Sequence, residues 1–236
     1  MRPLLIIKCG SKLATLTDQA GDFEQWMING MHWPTARTQV IDVANGETLP
    51  PPEQVCAAVI TGSGAMITDR SPWIEQTGVW LRSAAKLEVP MLGICFGHQL
   101  LADAFGGVVD DNPNGVEVGT VSTRLPIAGK DNPLFAGLPD EMLVQASHRQ
   151  AVLELPAEAV RLASSDLDPN HAFALGSNCW GVQFHPEFSA AMMPHYIDYY
   201  RQAGHAPTDF PPKETPESSQ LLRRFAQLVT ASKTIR

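Results

Sequence analysis

Short apolar runs alternate with amphipathic stretches through the first half of the chain. Leu4 to Cys9 is apolar and ends at Gly10, which predicts a buried first strand. Asp18 to Trp33 predicts a helix, with Phe23, Met27, Gly30 and Met31 at helical spacing and Pro34 closing it. Thr38 to Val43 and Val55 to Thr61 predict two more strands, the second running into the turn Gly62-Ser63-Gly64. A helix is expected from Pro72 to Lys86, with proline in the first turn where it is tolerated. Val89 to Ile94 predicts a buried strand. Phe96 to Phe105 predicts a helix stopped by Gly106-Gly107. Such alternation indicates a parallel sheet covered on both faces.

The second half changes character. Val116–Leu125, Met142–Ala146, Val160–Ser164, Ala172–Leu175 and Gly181–Phe184 all predict strands with few helices between them. Antiparallel additions to the sheet are the natural reading. Ala190–Ala203 and Glu217–Ser232 predict closing helices, with a proline-rich surface loop from Pro207 to Pro216. The expected fold is α/β: a mixed, largely parallel central sheet flanked by helices, in one domain over residues 1–236. Its core spans about 1–203, followed by a loop and helix over 204–236.

Composition narrows the classes. The chain has 236 residues, 44% hydrophobic and 18% charged, and a net charge of −8. An acidic surface argues against nucleic-acid binding, and no apolar run approaches the ~20 residues of a membrane span. The N-terminus lacks the apolar stretch of a secretory signal, so a cytoplasmic location is expected. Cys9, Cys56, Cys95 and Cys179 form no CxxC pair, which predicts neither a zinc cluster nor a disulfide framework. Three are expected to be buried small hydrophobes. Met27, Met31, Met192 and Met193 are read as packing residues.

Cys95 sits in another kind of neighbourhood. In Gly93-Ile94-Cys95-Phe96-Gly97-His98-Gln99 a buried strand arrives at a cysteine, a helix leaves it, and glycines flank it at two residues on either side. This is the pattern of a nucleophile elbow with sulfur in place of oxygen. A sharp strand-to-helix turn leaves no room for neighbouring side chains, hence the glycines. It places the thiol at a helix N-terminus, whose partial positive charge favours the thiolate. Alone, the short pattern is equally a buried cysteine in a glycine-rich turn. A second segment adds weight. Gly181 to Phe184 ends in His185-Pro186-Glu187, where proline stops the ladder. An extended backbone would put His185 and Glu187 on one side. The imidazole is then placed to take the thiol proton while the carboxylate orients it.

Cys95 in GICFGHQ, with His185 and Glu187 in QFHPE, resembles the Cys-His-Glu triad of class I glutamine amidotransferases. The resemblance covers nearly the whole chain and is closest to the GMP-synthase-like branch. It implies that family's flavodoxin-like fold and hydrolysis of a glutamine amide through a γ-glutamyl thioester. It implies an oxyanion hole from the N–H of Phe96 and one from Ser63 or Gly64. Many relatives have Gly-Gly-Pro or Gly-Pro-Gly where this chain has Gly62-Ser63-Gly64-Ala65. Gln99, Gly62, Ser147 and His148 are the implied substrate-binding positions. His98 is expected to pack or support, and Glu117, in a strand motif of the family, has no assigned chemical role. No cofactor signature appears and the mechanism needs no metal.

The small-molecule substrate is then glutamine, with ammonia passed to an unidentified acceptor or to a separate synthase subunit, since no synthetase domain is expected within this chain. The alternative is a stand-alone γ-glutamyl peptidase or hydrolase with the same triad. A retained fold acting as a non-catalytic binding or regulatory module is a third reading. It would not need Cys95, His185 and Glu187 together.

Overall fold

The computed structural model describes residues 2–207 and 211–234, with side chains through residue 231. Strand β1 (Leu4–Lys8) is apolar at four consecutive positions, all buried. Helix α1 (Phe23–Met31) is shorter than its periodicity predicts. Asp22 caps it by accepting from the Phe23 N–H, and Gly21 before it has φ +81°. Asp18 to Gly21 is therefore a turn. Edge strand β2 (Thr38–Asp42) is half-exposed, whereas β3 (Ala57–Ile60) is wholly buried. Helix α2 (Pro72–Lys86) matches its predicted bounds and buries Ile74, Trp80 and Leu81. Strand β4 (Met91–Ile94) then feeds α3 (Phe96–Ala104), buried at every position except Asp103.

The second half holds β5 (Val108–Asp111), β6 (Glu117–Arg124), short α4 (Ile127–Lys130), β7 (Glu141–His148) and β8 (Gln150–Glu154). It continues with β9 (Ala159–Ala163), β10 (Ala172–Leu175), β11 (Cys179–Val182), α5 (Met193–Gln202) and α6 (Pro216–Thr234). Part of the proline-rich loop, 208–210, lies outside the described residues, as do the chain-end positions 1, 235 and 236.

The central sheet has seven strands in the order β2-β1-β3-β4-β11-β10-β9. The first five in that order are parallel, and β10 runs against both β11 and β9. The expectation that the late strands all extend the sheet is corrected. β6 and β7 form their own antiparallel ribbon, and β5 pairs with β8, neither of which the apolar pattern marked. β5 is largely exposed, and β8 opens on polar Gln150 and buries only its first three positions, so neither shows the continuous apolar run that signals a buried strand. Helices α1 and α6 pack together, and Phe225 of α6 meets Trp180 of β11 edge-on at 6.1 Å. α6 and β11 thereby share one hydrophobic core.

One pairing positions everything that follows. β11, last in the sequence, lies parallel beside β4, with Val182 opposite Ile94. The Cys95 N–H continues the ladder to the Val182 carbonyl at 2.9 Å. Past that bond β4 turns sharply into α3, and Cys95 takes φ 53°, ψ −103°. This is a left-handed conformation costing about 1–3 kcal/mol for a residue with a side chain. A Cβ on Gly93 would collide with the carbonyl of Gly97, and one on Gly97 with the carbonyl of Ile60. Gly97→Ala should therefore lower stability by about 1–3 kcal/mol or prevent folding, because backbone cannot yield as a side chain does. Gly64→Ala, whose Cβ would meet nothing within 4 Å, should stay within about 0.5 kcal/mol of the parent. Urea unfolding of the pair checks this; equal stabilities would contradict the close packing.

Candidate active site

Cys95 is 6% exposed, and its sulfur opens onto a cavity of about 180 Å³. β11 ends at Val182, two residues sooner than its apolar run predicts, and the chain bends through Gln183 and Phe184 to His185. The His185 N–H donates to the Gln145 carbonyl at 2.8 Å, which ties this segment to β7. Glu187 lies in a turn with Pro186, so extended alternation is not what unites the pair. The turn folds the carboxylate back, and Glu187 Oε1 meets His185 Nδ1 at 2.7 Å. Both side chains are almost fully buried.

Three forces hold the ring. Glu187 fixes one nitrogen, Phe188 stacks on the imidazole at 4.0 Å and 9°, and the charge of the nearby Cys95 sulfur acts on it across the cavity that both residues line. Burial alone would make the ring harder to charge. The Glu187 carboxylate and the Cys95 sulfur outweigh that and raise His185 well above the ordinary histidine range. Gly62 shows how tightly the backbone passes: a Cβ there would lie 3.0 Å from His185 Cε1.

The other expected positions sort as follows. Ser63 and Gly64 line the cavity with Cys95, and the Ser63 hydroxyl accepts from the Ala65 N–H at 3.1 Å. Phe96 opens α3, where a helix leaves its first N–H groups without intrahelical acceptors. Gln99 is buried on the cavity wall rather than facing solvent, and its amide donates to the Gln150 carbonyl at 2.7 Å and to Gln183 Oε1 at 3.0 Å. The Ser147 carbonyl stands 3.7 Å from the Cys95 sulfur. Both nitrogens of His148 are engaged, one with the Gln150 carbonyl and one with Glu117, both at 2.9 Å. This residue can therefore offer a substrate only its backbone. His98 lies in the core against Phe173, pushed down to about 3 by burial.

Tyr196, Tyr199 and Tyr200 also line the cavity, and sequence reasoning missed them. Their spacing on α5 is that of a helix face, which without the fold reads as ordinary core. Ser11 and Leu13 of the loop after β1 complete the wall, and nothing in their local pattern marks them.

The remaining thiols differ from Cys95. Cys9 and Cys179 are buried, as expected, but Cys56 is only half-buried. Burial pushes Cys179 up to about 12 and Cys9 higher still. Limited alkylation with iodoacetamide, mapped by peptide mass spectrometry, should therefore modify Cys95 first. First modification of Cys179 or Cys56 would contradict the site.

A family model described as glutamine amidotransferase class-I matches residues 38–199. One of the subunits of the glutamine-hydrolyzing GMP synthase of Archaeoglobus fulgidus is 38% identical over 123 residues, covering 52% of this chain and 65% of that protein. The match thus spans just under two thirds of that relative's length. Gamma-glutamyl peptidase 4 of Arabidopsis thaliana is 29% identical over 175 residues, covering 72% and 70%. A solved glutamine amidotransferase structure from Thermotoga maritima superposes with a TM-score of 0.75, covering 97% of this chain and 98% of that one at 24% identity. That last likeness is one of fold.

Proposed function

This chain belongs to the class I glutamine amidotransferase family, and from that premise we propose that it hydrolyses a γ-glutamyl amide through a thioester on Cys95. The observation that carries the reading is the His185 ring, bonded to Glu187 and lining one cavity with the Cys95 sulfur. His185 takes the thiol proton and the sulfur attacks the amide carbon. The N–H of Phe96 and that of Ser63 or Gly64 stabilise the oxyanion; such a donor is worth about 10²–10³ in rate. The imidazolium then protonates the leaving nitrogen as the carbon–nitrogen bond breaks, leaving a thioester. Water attacks the thioester with His185 as base, releasing glutamate and restoring the thiol. Gly62, Gln99 and the backbone of Ser147 and His148 hold the glutamyl head.

The substrate we favour is glutamine, with ammonia passed to a separate synthase subunit, which suits the likeness to one part of a multi-subunit GMP synthase. All 236 residues are read as one domain, with α6 built into its core. A cytoplasmic location suits this activity, and among the described residues no helix is long and apolar enough to cross a membrane. The second reading is a γ-glutamyl peptidase, favoured by the likeness to the Arabidopsis enzyme. Assay of the purified chain alone against glutamine and against γ-glutamyl peptides separates them. Rapid peptide turnover without a partner supports the second.

Cys95→Ala should abolish turnover and His185→Ala nearly so, while Glu187→Gln should lose less. Glu187 favours the charged ring, so removing its charge lets His185 lose its proton at lower pH. The alkaline limb of kcat should accordingly move toward neutrality in Glu187→Gln. A pH–rate profile unchanged by that substitution, or turnover surviving Cys95→Ala, would contradict the mechanism.

A further inference from the structure

Behind the Cys95 cavity lies a second group of ionisable side chains that the mechanism above does not use. Glu117 of β6 is 3% exposed, His148 of β7 2% and His171 beside β10 0%. Burying a carboxylate so completely costs several kcal/mol unless it is paired, and Glu117 is paired on every side. Its Oε1 accepts from the Ser165 hydroxyl at 2.6 Å, and its Oε2 meets His148 Nε2 at 2.9 Å. His171 Nε2 stands 3.0 Å from that same oxygen but off the hydrogen-bonding line, so proximity rather than a directed bond closes the cluster.

The three residues are also a donor set of the kind that binds metal ions. Contacts of 2.9 and 3.0 Å are nevertheless hydrogen-bond lengths. Two donors at ~2.05 Å from a tetrahedral ion stand ~3.3 Å apart. Protons suffice to hold this cluster.

Its position matters more than its composition. His148 follows Ser147, whose carbonyl lies 3.7 Å from the Cys95 sulfur. The other nitrogen of His148 faces the Gln150 carbonyl, so with an acceptor at each nitrogen the ring cannot turn and donates from both, which makes it the charged form. We propose that Glu117 is a positioning residue for Cys95: through the His148 ring it locks the strand end that meets the thiol and keeps a positive charge buried behind it. The inference rests on the thioester reading, to which it adds a source of thiolate stabilisation besides His185.

The charges around His148 agree. Burial opposes charging the ring, but Glu117 outweighs it, and Asp168 and Cys95 add to the same effect. Together they raise His148 well above the ordinary range. The His171 ring lies 6.0 Å away between centroids, and His98 of α3, pushed down to about 3, carries no charge against it. Burial likewise opposes ionisation of Glu117, yet His171 and His148 hold its carboxyl well below the usual range.

The test is the pH dependence of Cys95 alkylation by iodoacetamide, which needs no turnover and so does not depend on the substrate. Glu117→Gln keeps the shape but removes the charge, and should move the rise in alkylation rate up by about half to one pH unit. Glu117→Asp keeps the charge and should stay nearer the parent profile. If the residue only filled space, the isosteric Gln would be the milder change. A Gln profile lying on the parent's, or an Asp profile shifted as far as Gln, overturns the proposal. Histidine NMR of the unaltered protein gives a second reading that requires no variant to fold. The His148 ring should remain charged at pH 8, and a neutral ring at pH 7 would overturn the proposal. Absence of turnover on every γ-glutamyl compound would instead sink the thioester reading and leave these measurements intact.

Discussion

The site depends on one strand pairing. β4 and β11 come from opposite halves of the chain, yet they lie parallel and in register, Ile94 beside Val182, so both end at the same sheet edge. Open α/β folds bind ligands at the carboxyl ends of such strands. The bond from the Cys95 N–H to the Val182 carbonyl fixes the height of the elbow against the segment that carries His185. A slip of one residue would send the imidazole to the other face.

That arrangement must be held against its own strain. Cys95 occupies a left-handed conformation that relaxation would straighten, and straightening would draw the sulfur away from the cavity. Two glycines let the turn close, and the fully buried α3 behind it leaves the backbone nowhere to go. On the far side, the Glu117 cluster pins the end of β7, so the Ser147 carbonyl and the elbow cannot drift apart. Rigid packing on one side and a hydrogen-bonded charge cluster on the other constrain the same few atoms.

Much of this was legible in the sequence because each signal was local. The apolar runs of β1, β3 and β4, the proline opening α2, and the glycines around Cys95 each record a short-range demand that survives without the fold. What stayed hidden was long-range. β5 is mostly exposed and β8 buries only Gln150, Ala151 and Val152, so neither shows a long apolar run, and the ribbon of β6 and β7 looks like any pair of sheet strands until its partners are known. His185 and Glu187 were recognised as a pair, but a turn rather than an extended strand brings them together. Glu117 offered no role because its partners lie 31 and 48 positions away, at His148 and Ser165. Tyr196 and Tyr200 read as helix core for the same reason: only the fold shows that α5 faces the cavity.

Adjacency of one sulfur and one imidazole is the claim from which all the chemistry proceeds, and a bifunctional reagent measures it directly. Treatment with 1,3-dibromoacetone, which joins a thiol to a neighbouring histidine through a three-carbon bridge, followed by peptide mapping, should yield a covalent link between Cys95 and His185. Cys95 modified at one end only, or bridged to any other residue, would contradict it.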